Sequence, residues 1–309
     1  MSVVVIAGAS GFIGRHLSAA FAAEGWQVRT IGRGVGADAR WGSDLRPALD
    51  GSLAVVNLAG RSVSCRYTKK TADEIFSSRT ETTAALGSAI ADTANPPAVW
   101  LNSSTGTIYR EARDRPQDER TGELGTGFSV AVARAWEHEL YAAPAPVRKL
   151  ALRTAITLGA GGGALSALIN LARLGFGGRQ GDGAQVVSWI HVDDVYAAIR
   201  HLIDAPDISG PVNLASPHPV PNAELMSLVR KEFGWLAGEE ARGIPLPRAA
   251  LGIGGRIIRT EPELVLKSRW LAPTVLQESG FRFRYPELAD ALAAIARSTP
   301  RGLLPVQLG

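Results

Sequence analysis

Gly8, Gly11 and Gly14 stand in a Gly-x-x-Gly-x-x-Gly run within VVVIAGASGFIGRHL, near the start of the chain. At that spacing the first glycine permits a tight turn and the second lets a pyrophosphate approach the backbone, while the third lets a helix pack on the preceding strand. The chemistry is capture of a dinucleotide's anion by backbone N–H groups at a helix N-terminus. A second element of such a site is the residue after the next strand. A carboxylate there holds the ribose hydroxyls of NAD, whereas an arginine accommodates the 2'-phosphate of NADP. Arg33 occupies that place in Ile31-Gly32-Arg33-Gly34, and the only nearby acid, Asp38, falls five residues later. Asn57-Leu58-Ala59-Gly60 then supplies small residues where adenine and ribose would pass.

These groups need a parallel sheet to carry them. Short apolar runs predict strands over residues 3–7, 27–31, 54–58, 98–102 and 147–153, with helices between them, among them 12–23, 69–92 and 129–141. Alternating strands and helices give an α/β fold, a Rossmann-like doubly wound parallel sheet whose ligand sits beyond the carboxyl ends of the strands. Beyond about Leu158 the character changes. GAGGGAL, GFGGRQGDG and SPHPVPN supply loops, and helices are expected over 223–233 and 262–267. The division expected is a nucleotide-binding domain over 1–158, to which some later segments return, and a smaller C-terminal α/β substrate lobe over 159–309.

Composition excludes several classes. A chain of 309 residues with 46% hydrophobic residues buries a sizeable core, and no apolar stretch reaches the roughly 18 residues of a membrane helix. The first apolar run has no basic flank and leads straight into the glycine turn, so no secretory leader is expected. One cysteine, Cys65, excludes an internal disulfide, and the five histidines show no ligand spacing, so no metal is expected and the location expected is cytoplasmic. A net charge of +4, dispersed among acidic residues, does not indicate nucleic acid. The partner expected is a small-molecule substrate, with the chain a monomer or homodimer and no membrane association.

GASGFIG, NLAG and the strand ending in Ser103-Ser104-Thr105, followed by Tyr109, resemble the extended short-chain dehydrogenase/reductases. Ser78-Arg79 with Thr82-Thr83, Trp136-Glu137, Leu152-Arg153-Thr154, Gly161-Gly162-Gly163-Ala164-Leu165, SWIHVDD over 188–194, GPVNL over 210–214 and Gly280-Phe281 resemble its atypical branch of sugar-nucleotide epimerase-like proteins. That branch carries a C-terminal domain of unknown function, which here would run over about 245–292. The superfamily's chemistry, as the resemblance implies it, uses a Tyr and a Lys at i and i+4 on one helix, the lysine lowering the phenol's pKa. With Glu137 aligned to the acid that follows the pair, those positions hold Ser129 and Ala133, which form an inward stripe with Trp136 and Leu140. Neither residue can exchange the proton.

The remaining candidates follow. Ser104 or Thr105 keeps the hydroxyl that in the superfamily hydrogen-bonds a substrate oxygen. Tyr109 replaces the missing phenol if Arg110 or Arg79 lowers its pKa. Arg79 lies on the apolar helix face of Ile75, Thr82, Leu86 and Ile90 and so requires a partner, either a buried carboxylate or the phosphate or acid of a ligand. The cofactor-binding set is Gly8, Ser10, Gly11, Phe12, Ile13, Gly14, Arg33, Leu58, Ala59, Gly60, Arg79 and Ser103. The substrate set is Arg66, in the loop before the third helix, with Gln185 and Trp189, which resemble the substrate-lobe entry of sugar-nucleotide enzymes. A basic residue common in related sequences is Ala184 here. His191 titrates near neutrality but belongs to a structural turn, with Asp193 as N-cap of a helix from Val195. The function expected is that of an NADP(H)-binding oxidoreductase acting on a small polar or sugar-derived substrate. The alternatives are a non-catalytic NADP(H)-sensing protein and a sugar-nucleotide epimerase.

Overall fold

The computed structural model describes residues 1–63, 65, 67–234, 243–247 and 266–306. Seven strands form one parallel sheet: β1 (Val3–Ala7), β2 (Gln27–Gly32), β3 (Ala39–Arg40), β4 (Ala54–Asn57), β5 (Val99–Thr105), β6 (Arg148–Thr154) and β10 (Gly210–Leu214). Their order is β10-β6-β5-β4-β1-β2-β3, so the direction of winding reverses between β1 and β4. At that reversal two strand ends separate and leave the crevice in which doubly wound sheets bind ligands. The strands expected over 98–102 and 147–153 extend to Thr105 and Thr154, which carries Ser103 and Ser104 into the sheet. β10 carries Pro211 at the sheet's edge, where a missing N–H is tolerated.

Alternation along each strand divides the core into two layers. Val4, Ile6, Val56, Leu101 and Leu152 face α1 (Phe12–Ala23) and α6 (Val192–Asp204), meeting Leu17, Phe21, Val195, Ile199 and Leu202. Val5, Ala7, Val55, Trp100 and Ala151 face the opposite layer, where α3 (Lys69–Ala91) and α4 (Phe128–Ala142) bring Leu86, Ile90 and Leu140. The 23-residue α3 begins at a reciprocal cap. Thr68 Oγ1 accepts from the Thr71 amide and Thr71 Oγ1 accepts from the Thr68 amide.

A third apolar cluster lies outside this sandwich. It joins α5 (Gly163–Arg173), α7 (Asn222–Phe233) and α9 (Leu288–Ser298) through Leu165, Ile169, Leu225, Val229, Leu292 and Ile295. Two small pairings flank it, β7 (Ile156–Leu158) with β9 (Trp189–His191) in parallel, and β8 (Val186–Val187) with β11 (Val220–Pro221) antiparallel. Two further short helices are the four-residue α2 (Arg46–Leu49), between β3 and β4, and α8 (Thr274–Glu278), ahead of α9. α5 and α9 were not anticipated, because glycine opens the first and a loop run precedes the second. Of the helix expected over 262–267, residues 262–265 lie outside the described residues.

One boundary is corrected. α6 starts at Val192 and its N-cap is His191, whose Nδ1 accepts from the Asp193 amide at 3.1 Å. The imidazole thus takes the capping role expected of Asp193, and the Asp193 carboxylate turns instead to His16 Nε2 at 3.1 Å and Arg284 Nη1 at 3.4 Å.

Close packing at Gly14 gives a test. A Cβ there would lie 2.7 Å from Ala9 Cα and also meet the Gly8 carbonyl oxygen, both rigid backbone, whereas one at Gly36 meets nothing within 4 Å. Gly14→Ala is expected to cost roughly 1–3 kcal/mol in urea unfolding, and Gly36→Ala to stay within about 0.5 kcal/mol of wild type.

Candidate functional site

Gly8 follows β1 at φ +84°, a conformation that favours glycine, and its amide donates to the Ile31 carbonyl at 3.0 Å. A Cβ at Gly8 would sit 2.9 Å from the Leu58 carbonyl, so the turn and the loop after β4 approach as closely as backbone allows. Gly11 is the N-cap of α1, and the first turn of α1 contains no acidic side chain. The N-terminal amides there therefore face no competing carboxylate of their own helix. Ser10 and Gly11 are exposed, and Phe12 and Ile13 are half-buried.

Phe12 has a partner that spacing did not reveal. A Cβ on Gly159 would come within 2.8 Å of its ring and one on Gly162 within 2.6 Å. The glycines of GAGGGAL are therefore the seat of the first residue of α1. Sequence signalled the loop but not its contact.

At the tip of β2, Arg33 is exposed and makes no ion pair among the described residues. Asp38 does not compete for that place. Its Oδ2 accepts from the Thr30 amide at 2.7 Å and the Thr30 hydroxyl at 2.8 Å, which fixes it alongside β2. Leu58, Ala59 and Gly60 follow β4 directly, and the Ala59 amide donates to Asn57 Oδ1 at 3.0 Å. Asn57 Nδ2 in turn donates to Asn102 Oδ1 at 2.7 Å and to Thr83 Oγ1 at 3.3 Å, and Trp136 Nε1 donates to the same hydroxyl at 3.0 Å. This buried chain fixes β4, β5, α3 and α4 to one another. Its signal in the sequence was an asparagine at or next to the end of each of two expected apolar strands.

The hydroxyl cluster serves a different purpose from the one expected. Glu137 on α4 and Arg153 on β6 form a buried ion pair, with Arg153 Nε donating to Glu137 Oε1 at 2.9 Å and Nη2 to Oε2 at 2.8 Å. Ser104 donates to the same Oε1 at 2.7 Å. Tyr109 is buried, its hydroxyl accepting from Arg153 Nη1 at 2.8 Å and donating to Asn213 Oδ1 at 3.0 Å. Burial opposes the charge on Arg153, yet the hydrogen bonds and charge of Glu137 outweigh it and hold the guanidinium above its ordinary pKa. For Tyr109 burial dominates and raises the pKa despite Arg153. That is opposite to the lowering proton transfer would need. Ser104 and Tyr109 are thus consumed by the ion pair, and Arg110, one of the expected activators, is paired with Asp114 at 2.8 Å and Glu123 at 2.9 Å. Thr105 is half-buried; its Oγ1 caps a short turn by accepting from the Thr107 amide at 3.2 Å. Ser103 is also half-buried, beside it.

Ser129 and Ala133 lie on α4, half-buried and fully buried respectively, with Ala133 packed against Tyr109, Ile108 and Leu271. A cavity of about 250 Å³ opens beside Tyr109 and Val130, lined further by Arg110, Thr126, Lys267 and Arg269. The substrate set does not converge on it. Gln185 is buried and donates from Nε2 to the Gln180 carbonyl at 2.9 Å. Trp189 is fully buried in the third cluster, its indole donating to the His218 carbonyl at 3.0 Å. Both are packing residues, because the stretch that carries them forms the seam between β8, β9 and α7. Arg66 lies outside the described residues. A second cavity of about 250 Å³ is lined by His16, His191, Asp193, Tyr285 and Arg297. Burial drives the His191 pKa down to about 4, although Asp193 works against the shift. Among the described residues no cluster suited to a metal ion occurs and no helix is long and apolar enough to cross a membrane.

A winding reversal beside β1, a glycine turn feeding a helix free of acidic residues, and small residues after β4 define a dinucleotide-binding protein of the Rossmann type. Residues 4–215 match the NAD dependent epimerase/dehydratase family, and residues 246–295 match a domain of unknown function, DUF1731. The chain belongs to that family, among the extended short-chain dehydrogenase/reductases, in its atypical epimerase-like branch. It is 30% identical over 300 residues to human epimerase family protein SDR39U1, covering 94% of this chain and 99% of that protein. The Mycobacterium bovis epimerase family protein Mb2239 is 32% identical over 300 residues, covering 94% of this chain and 96% of its own. A crystal structure of human SDR39U1 with NADPH superposes with a TM-score of 0.86 at 28% identity, covering 96% of this chain and 99% of that one.

Two measurements test these contacts. Glu137→Leu strands a buried guanidinium and is expected to cost about 3–5 kcal/mol, whereas the double change Glu137→Leu/Arg153→Met costs less than the sum of the single changes. Urea unfolding of the four proteins reads the difference. His191 provides a pH test, since its folded pKa lies below the value of about 6.5 in the unfolded chain. The unfolded chain then binds the extra proton between about pH 6.5 and 4, so His191's contribution is complete above that window and is lost as pH falls through it. The slope is at most about 1.4 kcal/mol per pH unit, and His191→Asn, which keeps a capping side chain, is expected to flatten it.

Proposed function

We propose that the chain binds NADP(H) and acts as an oxidoreductase on a small polar or sugar-derived substrate. The observation that carries the cofactor reading is the exposed, unpaired Arg33 at the tip of β2. It stands where a 2'-phosphate would lie, while Asp38, the one nearby acid, is held by Thr30. The glycine turn fits the rest of the group. Side-chain-free positions 8 and 14 permit the turn and the close approach of α1 to it, and Gly11, Phe12 and Ile13 open α1 toward the pyrophosphate. Leu58, Ala59 and Gly60 would border the adenine and ribose, and Ser103 completes the cofactor-binding set. The human relative crystallised with NADPH supports the same choice of cofactor.

When bound, NADPH supplies a hydride. The chain's own part is to position the acceptor and exclude water. With Ser104 and Tyr109 committed to Glu137 and Arg153, Thr105 is the hydroxyl left at the end of β5 for a substrate oxygen. The substrate lobe is assigned to the segment after Leu158, and the recess beside Val130 and Arg269 is the space for the acceptor. A second reading, an NADP(H)-sensing protein without turnover, is favoured by Ser129 and Ala133, which leave α4 without a proton-transferring pair. Sugar-nucleotide epimerisation demands oxidation and re-reduction at one site and finds still less support in these residues.

Arg33→Ala is expected to weaken NADPH about tenfold or more and NADH little, a charged contact to phosphate being worth roughly 1.5–3 kcal/mol. Equal loss for both removes the 2'-phosphate role. Turnover is tested by incubating the protein with deuterated NADPH and a small-molecule cell extract, then following the label by mass spectrometry. A labelled metabolite establishes reduction, while tight NADPH binding with no transfer favours the sensing reading.

A further inference from the structure

Arg79 is a half-buried cation that the described side chains do not neutralise. It lies one turn beyond Ile75 on α3, and its Nη1 donates to the Ile75 carbonyl at 2.9 Å, a neutral acceptor of its own helix. Its Cζ stands 5.0 Å from the centre of the Trp136 ring. No carboxylate among the described residues reaches ion-pair distance, and Glu74, earlier on α3, is taken by Arg61. Burial drags its pKa down to about 10, which leaves it charged at neutral pH. Arg153, which is buried where Arg79 is half-buried, has a bidentate protein carboxylate.

The surroundings give the missing partner a place. A Cβ at Gly60 would lie 3.2 Å from Arg79 Cζ, so the absence of a side chain at 60 brings the guanidinium to the loop that ends β4. That loop is at the carboxyl edge of the sheet, where ligands of doubly wound folds bind. Trp136 is one turn along α4 from Ala133, the position aligned with the superfamily's lysine. A positive charge absent from position 133 therefore stands on the facing helix, with most of its five N–H donors left without an acceptor among the described residues. We propose that Arg79 is the seat of a ligand oxyanion, a phosphate or carboxylate entering between Gly60 and Trp136. The proposal rests on the NADP(H) reading only for one of its two sources, a phosphate of the cofactor; the other is an acidic group of the second ligand.

The test uses the full chain, wild type, Arg79→Gln and Arg79→Lys, at constant ionic strength. NADPH affinity is read by nicotinamide fluorescence, and inorganic phosphate is titrated calorimetrically into each protein with and without saturating NADPH. If the oxyanion belongs to the second ligand, Arg79→Gln keeps NADPH affinity within about twofold. Phosphate then binds the wild-type NADPH complex and at least tenfold more weakly to the variant. If it belongs to the cofactor, Arg79→Gln weakens NADPH at least tenfold and phosphate competes with NADPH. Arg79→Lys, which keeps the charge but not the fork, falls between the two and serves alone if Arg79→Gln does not fold. Folded variants that bind both probes as wild type does overturn the proposal. A wild type that binds no NADPH defeats the cofactor reading instead, and the phosphate titration still decides the role of Arg79.

Discussion

The buried pair between Glu137 and Arg153 is the interaction on which the carboxyl end of the sheet depends. Each side chain is only 10% exposed, so desolvating the two charges is affordable only because their geometry is bidentate and Ser104 and Tyr109 satisfy further sites. From this pair the rest is positioned outward. α4 is held to β5 and β6, and Tyr109 passes the network to Asn213 on β10. Asn213 Nδ2 donates to the carbonyls of Gln117 and Ala272, and its amide donates to Glu119. Two long connections are thereby fixed over the strand ends by hydrogen bonds that trace back to one carboxylate.

That constraint explains why residue types alone misdirect the reading of this site. A serine and a tyrosine at the end of β5 look available in a linear sequence, because their partners are 33 and 44 residues away. Glu137 was visible as the acid following Trp136, and Arg153 as the last residue of an expected strand, but nothing in spacing joined them. Local signals fared better. β1, the glycine turn and α1 occupy the residues their pattern predicts, since each depends on neighbours in sequence: a buried apolar run, a positive φ at Gly8, and leucine and phenylalanine one turn apart on α1. The cap of α6 went to His191 because imidazole, like a carboxylate, can accept an amide, a choice settled by Asp193 having His16 and Arg284 within reach. Gln185 and Trp189, expected at the entry of the substrate lobe, are buried, Trp189 by chain that lies far away in sequence.

The two ends of the crevice are built from different materials. The nucleotide end is made of backbone, with glycines whose missing side chains bring amides and carbonyls together and with Phe12 locked against Gly159 and Gly162. The opposite end is made of side chains, where the asparagine chain, the ion pair and the cation of Arg79 stand close to one another. Backbone recognition suits a group common to many enzymes, whereas the side-chain end is free to be rewritten without disturbing the turn. The same α/β scaffold can therefore keep its cofactor reading while its chemistry diverges.

The margins of the sheet carry a consequence of their own. β3 is two residues long, and β10 bears Pro211 and sends the Asn213 amide to Glu119 instead of to a neighbouring strand. A short margin on one side and a proline with a diverted donor on the other give little template for strand addition. Lateral growth of the seven-stranded sheet is thereby disfavoured at both ends, and the strand-rich core is guarded against edge-to-edge aggregation.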